Sequence, residues 1–247
     1  MRVGQWIGAI VLLAVGCSRS GIEREPPLTS AAPAPASIAS ASSPASPADV
    51  AAAGADPPAA APSGDFAAAF QRSYDAEALG KNDAALAALD DVRATGTTMY
   101  VAELRRGWLL YRLGKHDAAA AAYARAAALE PLAVEPRVGA LAPLAAARRW
   151  MDVEANAREA LKRDPQSYAA TLRLAFALYS QAKYADAEAT YRALSALYPS
   201  DVDARAGLGW SRLKQGKTRD AANDFAQVLA IAPKNALALE GMAAARK

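Results

Sequence analysis

Four prolines stand 34 residues apart, at Pro131, Pro165, Pro199 and Pro233. A constant period of this length indicates a supersecondary unit that is repeated along the chain. Proline has no amide hydrogen and cannot continue a helix, so each of these residues predicts the end of one unit. The spacing therefore constrains the fold to a stack of equal units, in which each unit packs mainly against its neighbours.

Small and large apolar residues recur in phase with the prolines. One register position holds alanine, at Ala85, Ala119, Ala187 and Ala221. Four residues further on stands a large side chain, at Leu89, Tyr123, Tyr191 and Phe225. A third position holds glycine, at Gly80, Gly114 and Gly216. Because glycine readily takes the left-handed conformation that ends a helix, the pattern predicts two helices per unit that cross closely at the small residues.

The last complete unit carries the whole pattern, as Leu208-Gly209, Gly216, Ala221, Phe225 and Pro233. It resembles the tetratricopeptide repeat. The resemblance implies an all-α fold, a right-handed superhelical solenoid of five helix-turn-helix repeats. The repeats cover residues 66–99, 100–133, 134–167, 168–201 and 202–235. Residues 236–247 are expected to form a capping helix over the last apolar face.

Two repeats depart from the pattern. The first has Thr97 where the others have proline. The third has Arg148 in place of the turn glycine, Val153 in place of the packing alanine, and Pro143 within its first helix. Because proline removes a helical hydrogen bond, we expect Pro143 to kink or shorten that helix.

Residues 17–65 differ in composition from the repeats that follow. Alanine, proline and serine account for 33 of the 48 residues from Ser18 to Asp65, and nine of these are proline. Such a segment has little apolar surface to bury, so the composition predicts a disordered linker that tethers the repeat domain of residues 66–247.

Residues 1–16 have the features of an export signal. Arg2 is followed by a mostly apolar stretch from Val3 to Val15, which is too short to span a bilayer. The sequence Leu13-Ala14-Val15-Gly16-Cys17 resembles the lipobox of bacterial lipoproteins, and Cys17 is the only cysteine. The resemblance implies cleavage before Cys17, lipidation of Cys17 and attachment to the periplasmic face of the outer membrane. The alternatives are a conventional secretory signal with an incidental cysteine and an uncleaved anchor.

The resemblance to tetratricopeptide repeats also implies where a partner binds, because the first helix of each repeat lines a concave groove in that family. The residues that fall on this stripe are aromatic or basic: Tyr74, Arg105, Trp108, Tyr111, Arg112, Arg173, Phe176, Tyr179 and Trp210. Such side chains are enriched at binding hot spots, so we expect a protein or peptide partner with an acidic residue that meets an arginine. Alternatively, the aromatic side chains pack between adjacent helices and the arginines are solvated.

The sequence gives no basis for catalysis or for a cofactor. With one histidine, His116, and one cysteine, the chain lacks the ligands of a zinc cluster. No glycine-rich phosphate loop follows a strand, and no nucleophile can be paired with a base. The 28 basic and 25 acidic residues are too evenly balanced to indicate nucleic-acid binding. We therefore expect neither an enzyme nor a metal or small-molecule site.

Fold and anchor together predict a membrane-anchored, non-enzymatic scaffold for protein–protein interaction. Lipoproteins of similar size and repeat content include the pilotins of type IV pili, and this likeness makes an assembly factor for a pilus or secretin the first hypothesis. An adaptor for peptidoglycan hydrolases or synthases is the second, because the long linker suits the distance to the cell wall. A subunit of the outer-membrane protein insertion machinery is the third.

Overall fold

The computed structural model describes residues 64–90 and 97–246. The predicted export signal, Cys17 and nearly all of the linker lie outside these residues. The described residues form α-helices and turns, without strands. The helices are α1 (Gly64–Ala78), α2 (Asn82–Ala87), α3 (Thr97–Arg112), α4 (His116–Leu129), α5 (Glu135–Ala146), α6 (Trp150–Arg163), α7 (Tyr168–Ser180), α8 (Tyr184–Leu197), α9 (Val202–Lys214), α10 (Thr218–Ile231) and α11 (Ala236–Ala245). The predicted all-α solenoid is confirmed.

The periodic prolines lie between repeats. Pro131, Pro165, Pro199 and Pro233 each occupy the turn that follows the second helix of a repeat. Thr97, which stands at the same register position in the first repeat, instead begins helix α3. The first helix of the second repeat therefore starts three residues before the predicted boundary at residue 100.

The first repeat also has a short second helix. Helix α2 is 6 residues long, whereas the second helices α4, α6, α8 and α10 each have 14. The chain turns at Ala88 and Leu89, and the acidic pair Asp90-Asp91 follows. Acidic side chains are unfavourable near the negative end of a helix dipole, which disfavours continuation of α2 at this point.

Pro143 does not end its helix. Helix α5 continues for three residues beyond it, to Ala146, and is one residue shorter than the equivalent helices α7 and α9. The proline ring is fully buried. The expected irregularity is therefore limited to a small shortening and to the lost hydrogen bond at the Pro143 nitrogen.

Each repeat turns from its first to its second helix through one residue with a positive φ. Glycine fills this position in three repeats, with φ of 74° at Gly80, 72° at Gly114 and 77° at Gly216. The other two repeats place Arg148 (φ 58°) and Ala182 (φ 60°) there. A Cβ in this conformation crowds the next carbonyl, so each of these two residues is strained by about 1 kcal/mol.

Aromatic rings fill the space between successive repeats. The ring of Tyr123 lies between Gly107 of its own repeat and Gly139 of the next, and a Cβ at Gly107 would lie 2.8 Å from it. Phe225 is seated in the same way between Gly209 and Gly241. Gly139 and Gly241 thus admit a ring where any side chain would collide with it.

Helix α11 caps the last repeat. The side chain of Asn235 accepts a hydrogen bond from the backbone nitrogen of Ala238 (2.9 Å), which satisfies an otherwise unpaired amide at the helix start. Beneath α11, Phe225 is fully buried and Trp210 is 9% exposed. The predicted helix over the final apolar face is confirmed.

The stack curves toward its first helices. From the second repeat onward, the first helices contact one another directly, in the pairs α3–α5, α5–α7, α7–α9 and α9–α11. The second helices of successive repeats make no comparable contact in the described part of the chain. We call the face lined by the first helices the inner face, and the opposite face the outer face.

In repeats three and four, a polar cluster links the second helix to the turn between the two helices of the next repeat. Glu154 accepts hydrogen bonds from Gln181 (2.8 Å) and Lys183 (2.9 Å) of the next repeat. One repeat later, Glu188 accepts hydrogen bonds from Gln215 (2.8 Å) and Lys217 (2.7 Å). Each residue lies 34 positions from its counterpart, so the same arrangement, here called the Glu-Gln-Lys cluster, is built twice.

An arginine completes each cluster from the same helix. Arg158 lies 2.9 Å from Glu154, and Arg192 pairs with Glu188 in the same i, i+4 relationship. Hydrogen bonds from Lys183, and then from Gln181 and Arg158, outweigh burial and lower the pKa of Glu154 to about 2. Burial raises the pKa of Glu188, but its hydrogen bonds to cations and to the Gln215 amide outweigh burial and lower it to about 2.

Candidate functional site

The inner face of the first two repeats holds a cluster of aromatic and charged side chains. We call it the Tyr74 cluster, and it consists of Tyr74 and Glu77 on α1 and of Arg105, Trp108 and Arg112 on α3. Five of the nine predicted groove residues lie here or directly beside it, since Tyr111 packs 6.4 Å from Trp108 between ring centroids. The structure therefore brings this part of the predicted site together.

Arg105 joins helices α1 and α3 from the interior. Its Nη1 lies 2.5 Å from a carboxylate oxygen of Glu77, and its Nε donates a hydrogen bond to the hydroxyl of Ser73 (3.1 Å). The ring of Tyr74 covers the guanidinium, with its centroid 3.8 Å from the Arg105 Cζ. Arg105 is 8% exposed, which differs from the expected solvent-facing groove position.

Glu77 organises the polar side of the cluster. The indole nitrogen of Trp108 donates a hydrogen bond to the second carboxylate oxygen of Glu77 (2.6 Å). Burial acts to raise the pKa of Glu77, but the hydrogen bonds from Trp108 and Arg105, together with the positive charges of Arg105 and Arg112, lower it. The carboxylate stays ionised and fixes the orientation of the Trp108 ring.

Two groups of the cluster face solvent. Tyr74 is 52% exposed although its ring is held against Arg105. Arg112 is exposed, lies 5.6 Å from the centre of the Trp108 ring and forms no ion pair among the described residues. In addition, Nη2 of Arg105 is buried without a hydrogen-bond partner in this part of the chain. The carboxylate of Glu77 neutralises the charge of Arg105, whereas Arg112 has no ion-pair partner among the described residues. The cluster therefore presents an aromatic surface beside a net positive charge.

The fourth repeat contributes a second group of predicted residues. Phe176 is half-buried against Trp150, in an edge-to-face contact with 5.3 Å between centroids. Tyr179 packs against Tyr184 at 5.4 Å, and burial raises the pKa of its hydroxyl. Arg173 is half-buried and has no ion pair among the residues described. Phe176 and Arg173 thus place an aromatic and a basic residue on the first helix of the fourth repeat as well.

Trp210 belongs to the core rather than to an exposed groove. Its ring packs 5.6 Å from that of Phe225, and its indole nitrogen donates a hydrogen bond to the carbonyl of Leu237 in the capping helix (3.1 Å). This placement differs from the sequence-based expectation. Helical spacing assigned the residue to the correct helix face, but α11 covers that face at the end of the stack.

Trp150 contacts Phe176, which the sequence pattern had not indicated. It begins helix α6 at the register position where Tyr184 begins α8 and His116 begins α4, and each of the three rings lies against an aromatic residue of a first helix. The shared position after the turn residue was the signal that could have found it. The position explains His116 as a packing residue beside Tyr111, at 5.8 Å.

Further chemistry is not indicated by the described residues. Within residues 64–90 and 97–246, no group of three or more histidine, cysteine, aspartate or glutamate side chains is arranged to hold a metal ion. None of the helices in the same ranges combines the length and apolar character needed to cross a bilayer.

The chain belongs to the tetratricopeptide repeat family. The model of that family, described as tetratricopeptide repeat, matches residues 70–134, 144–202, 172–236 and 206–246. A search of curated protein sequences found no match.

Several solved structures resemble this one. A tetratricopeptide repeat protein from Parabacteroides merdae aligns with a TM-score of 0.67 and 17% identity, over 73% of this chain and 72% of that one. MamA from Desulfovibrio magneticus aligns with a TM-score of 0.65 and 16% identity, over 71% and 99%. YrrB, a protein of the family with an unusual peptide-binding site, aligns with a TM-score of 0.53 and 19% identity, over 59% and 75%. At these identities the likeness shows the fold alone.

Proposed function

We propose that this protein is a non-catalytic scaffold that binds a polypeptide segment on its inner face. The proposal rests on two exposed groups of one cluster, the Tyr74 ring that covers Arg105 and the Arg112 guanidinium beside Trp108, which forms no ion pair among the described residues. Tyrosine, tryptophan and arginine are enriched among the few residues that dominate the binding energy at protein interfaces. Protein binding is the general role of the family, and the peptide-binding site of YrrB is one case among its structures.

The cluster favours a segment that carries both an apolar and an acidic residue. The apolar side chain would pack on Tyr74, and the carboxylate would meet Arg112 in a charge-assisted hydrogen bond. Phe176 and Arg173 lie two repeats further along the inner face and would contact the continuation of the segment. An extended peptide or an amphipathic helix satisfies this spacing.

The experiment compares inner-face variants with a matched outer-face variant. Full-length wild-type protein and three variants, Tyr74→Ala, Arg112→Glu and Arg219→Glu, are purified from detergent-solubilised envelopes of the native bacterium. Arg219 is an exposed cation on helix α10 and makes no ion pair among the described residues. We expect the wild type and Arg219→Glu to retain the same bound polypeptide and the two inner-face variants to lose it. Equal recovery with all four proteins would exclude the Tyr74 cluster as the binding site.

The cellular role that we propose is assembly of an envelope machine, such as a pilus or secretin, from the periplasmic face of the outer membrane. The lipobox-like sequence ending in Cys17 supports the anchor, and the Ala/Pro/Ser-rich segment supports a working distance from the membrane. Recovery of a secretin or pilus subunit in the experiment above supports this role. Recovery of a cell-wall hydrolase or synthase would favour the adaptor hypothesis, which the long linker also supports.

The anchor has its own test. Cys17→Ser removes the thiol that would be acylated, so the variant should leave the membrane fraction and remain folded. Continued membrane association of Cys17→Ser would contradict lipidation and favour an uncleaved N-terminal segment.

A further inference from the structure

A cavity of about 260 Å³ opens on the outer face, between the second helices of repeats two and three. Its floor and one wall are apolar and consist of Ala120, Ala121, Ala124, Ala140 and Leu144. Its polar lining consists of Asp117, Arg149, Asp152 and Asn156. The volume is of the order of one large side chain rather than of a cofactor, since ligand pockets typically run from about 300 Å³ upward.

The repeat register explains why the cavity occurs at this junction. Ala120 and Ala124 stand 34 residues before Glu154 and Arg158, and 68 before Glu188 and Arg192. At the next two junctions an i, i+4 ion pair of glutamate and arginine occupies these two positions. At the junction of repeats two and three, both positions hold alanine, so only the methyl groups of Ala120 and Ala124 lie there. The two junctions that follow thus show which side chains fit the corresponding place.

The charge at the rim indicates whether the cavity favours an acidic side chain, such as glutamate, or a basic one, such as arginine. Arg149 occupies the position of Lys183 and Lys217, but in the absence of a glutamate it is shared between Asp152 (2.7 Å) and Asp117 (3.4 Å). Two carboxylates and one guanidinium leave a net charge of −1. The Asp117 side chain is 82% exposed and has a single, long contact. The rim therefore favours a cation.

We propose that this cavity binds an arginine or lysine side chain of a partner polypeptide. The aliphatic stem would lie along the methyl groups of Ala120, Ala121 and Ala124, and the charged end would reach Asp117 and Asp152 at the rim. Long cationic side chains bury their stems on apolar surface in this way while the charge stays near solvent. The site lies on the outer face, so it is separate from the Tyr74 cluster and can be occupied at the same time.

Nuclear magnetic resonance of the full chain with labelled alanine methyl groups tests the proposal, because alanines form the wall. The probes are N-acetyl-arginine amide and, as the opposite charge, N-acetyl-glutamate amide. We expect the arginine probe to shift the methyl signals of Ala120, Ala121 and Ala124 in a saturable manner, and the glutamate probe to leave them unchanged. Asp117→Asn should weaken arginine binding by about threefold, as for an exposed ion pair. Asp186→Asn, at an exposed aspartate of the next second helix, should have no effect.

A variant whose own side chains fill the cavity is the control for this experiment. The double variant Ala120→Glu/Ala124→Arg introduces the ion pair that the following junctions already contain, so it is compatible with the fold and should abolish the shifts. The proposal is overturned if the arginine probe causes no saturable shift, if the glutamate probe shifts the same signals as strongly, or if the filled variant still responds. The circular dichroism spectrum of the filled variant verifies that it is folded.

Discussion

Lys217 of the fifth repeat and Glu188 of the fourth lie 2.7 Å apart, between the ammonium nitrogen and a carboxylate oxygen. The equivalent pair one repeat earlier, Lys183 and Glu154, lies 2.9 Å apart. The contact recurs with the period of the sequence and joins the second helix of one repeat to the residue that precedes the second helix of the next. The Glu-Gln-Lys clusters therefore hold neighbouring repeats in register.

Removing the charge of Glu188 should destabilise the stack. Glu188→Gln keeps the shape of the side chain but weakens its hydrogen bonds to Lys217 and Arg212, so we expect the free energy of unfolding to fall by about 2 kcal/mol. Denaturant unfolding of the full chain measures this change. Glu240→Gln, at an exposed position of α11, is the matched control and should change stability by less than about 0.5 kcal/mol. Equal effects of the two substitutions would contradict the role of the cluster.

The same carboxylates predict a loss of stability in acid. In the folded protein the pKa values of Glu154 and Glu188 are lowered to about 2, from an ordinary value of 4.5. A lowered folded-state pKa stabilises the protein above pH 4.5, and this stabilisation is lost as the pH falls from 4.5 toward 2. The stability difference between wild type and Glu188→Gln should therefore narrow across this range. A difference that is constant from pH 6 to pH 2.5 would be inconsistent with the lowered pKa of Glu188.

Relieving the left-handed strain at Ala182 should stabilise the protein. Its φ is 60°, whereas the equivalent residues Gly114 and Gly216 are glycines. Ala182→Gly removes the Cβ clash but adds freedom to the unfolded chain, so we expect a net gain of about 0.5 kcal/mol. Gly216→Ala is the reciprocal change, and the same two effects with opposite sign should make it cost about 0.5 kcal/mol. Thermal unfolding of both variants measures the effect, and a loss of stability in Ala182→Gly would contradict the assigned strain.

The packing of the capping helix α11 against Phe225 should require that residue 241 has no side chain. A Cβ there would overlap the ring of Phe225, so Gly241→Ala should lower the stability by about 2 kcal/mol. Hydrogen exchange of the α11 amides should accelerate most, because Gly241 lies on α11 and the overlap with Phe225 acts on that helix. Phe225→Leu removes the ring, and in that background Gly241→Ala should have a smaller effect. Additive effects of the two substitutions would show that the glycine and the ring do not interact.

The fold followed from the sequence because its determinants are local and periodic. Proline ends helices and glycine permits the turn wherever they stand in the chain, so the 34-residue spacing of Pro131 and its counterparts implied the architecture. The short helix α2 was not expected, since its end depends on the acidic pair at residues 90–91 and on Thr97 beginning the next helix. These features depart from the 34-residue pattern, so the pattern could not predict them.

The candidate site could be predicted only in part, because register assigns a helix face but not the neighbours of a side chain. Tyr74 and Arg112 are exposed as expected. Arg105 is buried because Glu77, in the first helix of the preceding repeat, lies within ion-pair distance. Trp210 is buried because the capping helix α11 covers it and accepts its indole hydrogen bond at the carbonyl of Leu237. The burial of Arg105 and of Trp210 depends on contacts between repeats, and the residues that make these contacts differ from one repeat to the next.

Binding of a polypeptide to the inner face of the first two repeats can be measured in the cell. A photo-crosslinking amino acid is placed at position 112 of the protein in its native cell, and position 219 on the outer face is the control. If the inner face binds a polypeptide, we expect a discrete covalent adduct from position 112 that Tyr74→Ala abolishes, and none of the same mass from position 219. An identical adduct from position 219, or no adduct from position 112, would contradict it.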